Sequence, residues 1–213
     1  MKQTHKTTIV LLAVCAMAGY GANAQNLLLN GSFESPSVPT NIISATIPTS
    51  WSGSGPLLGM IHGAYGTLYP PLPQDGQQYV ALGNSSSLSQ VFTISSPGNF
   101  TLSWFDSSEF NGPGQFSPYQ VIVTNSIGNT VMNASFDANA SGFGVWTPHS
   151  IGLALAADTY TLSFYGNAGF FAERSLLDNV SLVPEPSSIS VVLAAGLTAA
   201  GFRKLRRKYT VAR

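Results

Sequence analysis

Hydrophobic and polar residues alternate in short runs through the middle of the chain. Phe100, Leu102 and Trp104 alternate with Thr101 and Ser103, which is the pattern of a half-buried β-strand. Similar runs follow one another between turns rich in Gly, Pro and Asn. The predicted strands are 77–82, 87–94, 99–105, 119–125, 130–136, 145–151, 159–165 and 176–183. They predict an all-β fold, an antiparallel jelly-roll β-sandwich, with 35–75 as a long and partly irregular excursion.

The first 24 residues have the features of a signal peptide. Lys2 and Lys6 precede an apolar run, and Ala22 and Ala24 give the small-residue pattern of a cleavage site. We therefore expect a signal-peptide helix over 1–24, with signal peptidase cutting after Ala24. A retained N-terminal anchor is the alternative.

The C-terminal end has three parts in a fixed order. Pro184, Glu185 and Pro186 come first, and 187–202 follow without a charged residue. The segment 203–208 then carries five basic residues: Arg203, Lys204, Arg206, Arg207 and Lys208. An apolar run followed by basic residues predicts a transmembrane helix over 187–202 whose basic end stays on the cytoplasmic side of the inner membrane.

This tail resembles the PEP-CTERM sorting signal of bacterial surface proteins. The resemblance rests on the Pro-Glu-Pro motif at 184–186, the apolar segment and the basic stop, and it covers 184–208. It implies that an exosortase recognises 184–186 while the helix holds the chain in the membrane. The product would then reach the cell surface or the extracellular matrix. A proline-rich linker before an ordinary single-pass anchor is the alternative.

The charge of the chain is unevenly distributed. Only one of the nine Lys and Arg residues, Arg174, lies within 25–183, whereas eight of the nine acids do, so this domain has a formal charge of −7. Such an acidic domain is not suited to nucleic acid or anionic lipid. Cations and neutral glycans remain as ligands. The only cysteine, Cys15, lies in the predicted leader, so no disulfide stabilises the predicted domain 25–183.

Short motifs at both ends of 26–183 resemble those of the galactose-binding-like jelly rolls, which include many secreted carbohydrate-binding modules. They are Asn-Gly-Ser-Phe-Glu at 30–34 and Leu-Leu-Asp-Asn-Val-Ser-Leu at 176–182, with 75–82 and 88–92 between them. The resemblance implies a structural Ca²⁺ site at Glu34 and Asp178, because calcium takes carboxylate and carbonyl oxygens. The alternative is that Glu34 caps a turn and Asp178 begins a strand through local hydrogen bonds.

Aromatic residues in turn-rich stretches are the other candidates for binding. Aromatic rings can stack on the C–H faces of sugars, and nearby carboxylates can bind sugar hydroxyls. The candidates for glycan binding are Tyr65, Tyr69, Phe110, Phe116 and Tyr119. The alternative for each is that it covers an end of the sandwich, and Trp104, in the alternating strand, is predicted to be core.

Signatures of catalysis are weak. The chain has no Gly-x-Ser-x-Gly elbow, and its histidines lack the spacing of a zinc site or a triad. Asp106 and Glu109 are the only pair of carboxylates that suggests a glycosidase. The sequence therefore predicts a non-catalytic envelope or matrix protein associated with exopolysaccharide. A secreted polysaccharide hydrolase and a permanently anchored adhesin remain as alternatives.

Overall fold

Eleven β-strands form the part of the chain that the structure describes. The computed structural model describes residues 25–64, 71–109, 116–138, 140–141, 144–166 and 174–185. These residues contain strands and turns, and none of them lies in a helix. The strands are β1 Ile43–Ser44, β2 Ser52–Ser54, β3 Leu58–His62, β4 Gln78–Gly83, β5 Ser87–Ile94, β6 Gly98–Ser108, β7 Pro118–Asn125, β8 Thr130–Asp137, β9 Thr147–Leu155, β10 Asp158–Gly166 and β11 Arg174–Pro184.

The strands form two antiparallel sheets. Sheet A has the order β1-β3-β4-β11-β6-β9, and sheet B has the order β2-β5-β10-β7-β8. Every strand pairing is antiparallel, as the short alternating runs predict. The two-sheet sandwich confirms the predicted fold class for 26–184, which is one compact unit.

The main core lies between the two sheets. Leu102 and Trp104 on β6 face Leu162 and Phe164 on β10, and all four are fully buried. This arrangement confirms Trp104 as a core residue. The alternation of β6 explains the placement, because successive side chains of a strand point to opposite faces.

The first residues of the domain are hydrogen-bonded to its last strand. The Asn26 side chain accepts the N–H of Leu182 and donates to the carbonyl of Val180. The Val180 N–H in turn donates to the carbonyl of Gly31. A Cβ at Gly31 would lie 1.9 Å from the Val180 carbonyl oxygen, so only glycine allows the two backbones to approach this closely. The two ends of the domain are therefore joined at β11.

Sheet A also has a buried patch on its outer face, the face that points away from sheet B. Ile61, Tyr79, Ala81 and Leu176 are fully buried there and form a second hydrophobic cluster. Ile43 and Trp146 are partly buried against it. Part of sheet A is therefore covered on both faces, which places polar groups of the same strands in a nonpolar environment.

Candidate functional site

Tyr79 lies at the centre of the outer patch. Its ring meets the ring of Trp146 edge-on, with the centroids 5.7 Å apart and the planes at 83°. The Tyr79 hydroxyl is buried and has no hydrogen-bond partner in the described part of the chain. Burial raises the pKa of Tyr79, and the negative charges of Glu109 and Asp178 raise it further. A buried donor without a partner lowers the stability of the fold, so its presence here requires an explanation other than packing.

A second hydroxyl of the same kind lies on β6, which is separated from β4 by β11 in sheet A. Ser107 pairs with Leu176 of the outer patch, so its side chain points to the same face. Ser107 is fully buried, and its Oγ has no hydrogen-bond partner among the described residues. Two unsatisfied hydroxyls therefore lie on one face of sheet A.

An ion pair lies next to these hydroxyls. Nη1 of Arg174 donates to both carboxylate oxygens of Glu109, at 3.0 and 3.2 Å. Both side chains are largely buried. Because the charge of Arg174 is balanced by Glu109, this part of the face presents little net charge. We call Tyr79, Ser107, Glu109, Trp146 and Arg174 the outer-face cluster.

The side of the cluster nearest to solvent is apolar. Nε1 of Trp146 donates to the carbonyl oxygen of Leu72 at 2.7 Å, which fixes the indole ring. Leu72 is 69% exposed and Val145 is 48% exposed. Tyr65 and Tyr69 belong to the same β3–β4 connection as Leu72 but lie outside the described residues. A fixed indole with exposed aliphatic neighbours can contact the C–H face of a ring-shaped ligand.

Asp178 and Glu34 both accept hydrogen bonds from the turn that precedes β4. Oδ2 of Asp178 accepts the N–H groups of Gln74 and Asp75, and its Oδ1 accepts that of Asn179. Oε1 of Glu34 accepts the N–H groups of Gln77 and Gln78. The turn passes through Gly76 at φ +67°, a conformation that favours glycine.

These contacts compete with the predicted calcium site for carboxylate oxygens. Three of the four carboxylate oxygens of Glu34 and Asp178 already accept backbone N–H groups, which occupy lone pairs that a cation needs. No group of three or more His, Cys, Asp or Glu side chains able to hold a metal occurs in the described part of the chain. The hydrogen bonds of Glu34 match its alternative role as the cap of a turn, whereas Asp178 lies inside β11 and does not begin a strand. Calcium binding stays a prediction.

Burial also affects the protonation of Asp178. Burial raises the pKa of its carboxyl group to about 7, although the three backbone hydrogen bonds act in the opposite direction. The negative charge of Asp75 contributes to the increase. Asp178 is therefore an acid whose charge is disfavoured by its surroundings at neutral pH.

The core side of β6 carries a contrasting polar network. Nε1 of Trp104 donates to the hydroxyl of Tyr119 at 2.7 Å, and that hydroxyl donates to Oδ2 of Asp106 at 2.7 Å. Nε2 of His149 lies 2.9 Å from the same Oδ2, a close contact without the angles of a hydrogen bond. The His149 ring stacks on Trp104, with centroids 5.1 Å apart.

This network corrects the prediction for Tyr119. Tyr119 was expected in a loop with its ring available to a sugar, but it is fully buried between the sheets and makes two hydrogen bonds. The alternation of Tyr119 with Val121 and Val123 was the signal that points its ring inward. Burial and the negative charge of Asp106 raise its pKa. Tyr119 is therefore a core residue and cannot stack on a ligand from solvent.

The remaining aromatic candidates divide into two groups. Phe116 is 64% exposed, so its ring is available to a ligand, and its role stays a prediction. Phe110 lies outside the described residues, as Tyr65 and Tyr69 do.

Asp106 and Glu109 do not form a catalytic pair. Asp106 faces the core, where it contacts Tyr119 and His149. Glu109 pairs with Arg174, the neighbour of Ser175 at the start of β11. Residues three apart on an extended strand point to opposite faces, so sheet A separates the two carboxylates. They cannot act on the same glycosidic bond.

The predicted targeting segments fall mostly outside the described residues. Pro184 is the last residue of β11, in register with Phe100, and Glu185 is exposed. The other predicted residues, Ala22, Ala24, Pro186, Arg203, Lys204, Arg206, Arg207 and Lys208, lie outside the described part. Within that part, no helix has the length and apolar character that crossing a membrane requires.

Comparison with solved structures shows which known fold the domain resembles. No protein-family model matches the chain, and no curated protein sequence matches it. Among solved structures, the chain is similar to TmCBM61 in complex with β-1,4-galactotriose, at 16% identity and a TM-score of 0.54 over 76% of this chain and 99% of that one. The two chains share a fold.

Two weaker likenesses are to modules of the same kind. One is the family 16 carbohydrate-binding module-2, at 14% identity and a TM-score of 0.47 over 74% of this chain and 99% of that one. The other is the CBM22-1 xylan-binding domain of Xyn10C from Paenibacillus barcinonensis, at 13% identity and a TM-score of 0.45 over 77% and 97% of the two chains. Only the TmCBM61 likeness contributes to the assignment, and it supports the β-sandwich fold.

Proposed function

We propose that the sandwich is a non-catalytic module that binds neutral polysaccharide on the outer face of sheet A. The observation that carries this proposal is the outer-face cluster, in which two buried hydroxyls, of Tyr79 and Ser107, have no partner among the described residues beside a fixed Trp146. Both groups are buried, so a bound sugar would have to displace part of their cover, and its hydroxyls, which donate and accept hydrogen bonds, would then satisfy both. The shared fold with a carbohydrate-binding module supports the same function.

The charges around the cluster favour a neutral ligand. Glu109 balances Arg174, and Asp178 adds a carboxyl group close enough to raise the pKa of Tyr79. The predicted domain 25–183 has a formal charge of −7. An acidic polysaccharide would meet repulsion here, whereas a neutral hexose chain would not.

Isothermal titration of the full chain tests this proposal. The ligands are a neutral β-1,4-galactan oligosaccharide, a neutral β-glucan oligosaccharide and polygalacturonate as the acidic counterpart. We expect heat of binding with a neutral ligand and none with polygalacturonate. A folded chain that binds neither neutral ligand would refute the proposal.

Two aromatic substitutions locate the site. Trp146→Ala should abolish binding, because it removes the fixed ring that would contact the C–H face of the sugar. Phe116→Ala removes an exposed ring elsewhere and serves as the matched control. If Phe116→Ala abolishes binding and Trp146→Ala does not, the site is at Phe116, as the sequence also allows.

A hydrolase is the rival that shares the same ligand. The separation of Asp106 and Glu109 by sheet A supports binding without catalysis. Incubation of the full chain with the bound polysaccharide, followed by analysis of reducing ends, distinguishes the two. Release of reducing ends that is lost in Asp106→Asn would favour the hydrolase.

We also propose that the chain is exported and sorted through its C-terminal signal. Signal peptidase would remove 1–24, and an exosortase would process the chain at Pro184-Glu185-Pro186 while 187–208 hold it in the inner membrane. The product would then reach the cell surface or the exopolysaccharide matrix. The position of Pro184 at the end of the last strand and the exposure of Glu185 support access to this motif.

Mass spectrometry of the mature protein tests the sorting proposal. The protein is taken from wild-type cells and from cells that lack the exosortase. Loss of the C-terminal segment in wild-type cells alone is expected. An intact C-terminus at Arg213 in both strains would instead indicate the permanently anchored adhesin.

A further inference from the structure

The two sides of the sandwich differ in how their sheet edges are protected. On one side the edge strands are β1 and β2, which have two and three residues. On the other side they are β8 and β9, with eight and nine residues. A long edge strand presents unpaired N–H and C=O groups that can pair with another strand. The longest edge strands therefore lie on the β8 and β9 side.

Additional segments cover the first side. Beyond β2, Leu29 lies beside β5. Its N–H donates to the side chain of Gln90, and its carbonyl accepts a hydrogen bond from the same side chain. Beyond β1, Thr40 forms a bridge to His62 at the end of β3. Other segments of the chain therefore lie along this side, although the backbone of β5 beyond Ser89 pairs only with β10 among the described residues.

Of the two long edges, β8 has protective features. Its pairing with β7 shifts register between Val123 and Thr124, and the strand ends at the charged residue Asp137. A bulge and a charge at an edge both hinder pairing with another strand.

The other long edge, β9, lacks these features over most of its length. It pairs with β6 in continuous register from Thr147 to Leu155, and within the described residues it has no other neighbour. Pro148 removes one donor near its start, and the seven residues after it contain no proline and no Asp, Glu, Lys or Arg. Ser150, Gly152 and Ala154 are exposed on its outer face and are too small to obstruct a second strand.

β9 is also held in a fixed position. The ring of His149 stacks on Trp104 and contacts Phe136 at a centroid distance of 4.8 Å. Its Nε2 lies 2.9 Å from the carboxylate of Asp106. A strand held in this way is a preformed template for pairing.

We propose that β9 is a self-association edge, at which two copies of this chain pair antiparallel through a two-fold axis. Charge favours a second copy at this edge over other contacts between copies. The domain has a formal charge of −7, so most approaches of two copies bring acidic residues together, but β9 carries no acid. A two-fold contact lets the same strand supply both halves of the interface. The pairing would continue sheet A from one copy into the next.

The mass of the full chain in solution, measured by light scattering over a concentration series, tests this proposal. We expect the mass to rise about twofold with concentration. Ser150→Lys should hold the chain at the mass of one copy, because Ser150 lies near the middle of β9 and an antiparallel pair brings the two lysines together. Thr161→Lys is the matched control, since it adds the same charge to β10, which has neighbours on both sides.

Two further measurements make the result specific. An equimolar mixture of Ser150→Lys and Ser150→Glu chains should recover the twofold mass, because opposite charges now meet across the pair. With Cys15→Ser, the variant Ser150→Cys should form a covalent dimer under oxidation, and Thr161→Cys should not. A wild-type chain that keeps the mass of one copy throughout, or a Thr161→Lys variant that loses association as Ser150→Lys does, would overturn the proposal.

Discussion

Tyr79 and Tyr119 have the same side chain and are both completely buried, but they lie on different faces of the sandwich. Tyr79 lies on the outer face of sheet A, and Tyr119 lies on the inner face of sheet B. Tyr119 points into the core, where its hydroxyl accepts from Trp104 and donates to Asp106. Tyr79 points outward under Trp146, and its hydroxyl has no partner among the described residues. The presence or absence of a hydrogen-bond partner therefore distinguishes two roles of a buried hydroxyl. A satisfied hydroxyl stabilises the fold, whereas an unsatisfied one needs a further partner, and the proposed function supplies a sugar hydroxyl.

The largest effect is expected from Tyr119→Phe. This change leaves Nε1 of Trp104 without an acceptor and removes a donor from the buried carboxylate of Asp106. Loss of these partners should lower the free energy of unfolding by roughly 3 kcal/mol. Denaturation in urea measures it. A loss similar to that of Tyr79→Phe would remove the distinction between the two tyrosines.

The pH dependence of stability tests the environment of the outer face. Because burial raises the pKa of Asp178 from 3.8 to about 7, the folded chain holds one more proton than the unfolded chain between these pH values. Stability from this group is therefore lost as pH rises through that window, with a slope of up to about 1.4 kcal/mol per pH unit, and is constant above it.

Asp178→Asn should remove this contribution to the slope, although its overall stability will be lower because hydrogen bonds to the turn are lost. The measurement is urea denaturation of both proteins at several pH values, compared as a difference. Parallel profiles for the two proteins would contradict the raised pKa.

Tyr79→Phe should not lower stability and should weaken binding. The hydroxyl has no partner to lose among the described residues, and its removal ends the cost of a buried unsatisfied donor, so the free energy of unfolding should stay the same or rise by up to about 1 kcal/mol. Affinity for the neutral polysaccharide should fall about tenfold, the value of one hydrogen bond of about 1.4 kcal/mol. Ser107→Ala should behave alike. Unchanged affinity in both variants would show that these hydroxyls do not contact the ligand.

The smallest effect is expected from calcium. The oxygens of Glu34 and Asp178 accept backbone N–H groups, so we expect the same melting temperature in excess EGTA and in millimolar-range calcium. Thermal unfolding followed by circular dichroism measures it. A higher melting temperature with calcium would restore the site that the sequence resemblance implies.

Sequence patterns were sufficient for most of the sheets. Each of the eight predicted strands overlaps an observed one, and the run 87–94 coincides with β5. The strands β1, β2 and β3 were missed within 35–75, because β1 and β2 are very short and β3 contains Gly59 and lacks a clear alternation. Their partners decide their conformation more than their own residues do.

The outer-face cluster could not be predicted in the same way. It brings together residues from β4, β6 and β11, the residue that follows β6 and the residue that precedes β9. These residues are up to 95 positions apart in the chain, from Tyr79 to Arg174. Their proximity depends on the order of strands in sheet A and on the register Leu176 to Ser107. A single sequence does not contain that information, since strand order is set by packing over the whole domain.

The last strand, β11, lies inside sheet A between β4 and β6, and the chain leaves the domain from its end at Pro184. The ladder with β6 extends to Pro184, whereas the ladder with β4 covers only Arg174 to Leu177. A pulling force applied at Glu185 would therefore act first on the hydrogen bonds between β11 and β6, and would reach those with β4 only at the far end of the strand.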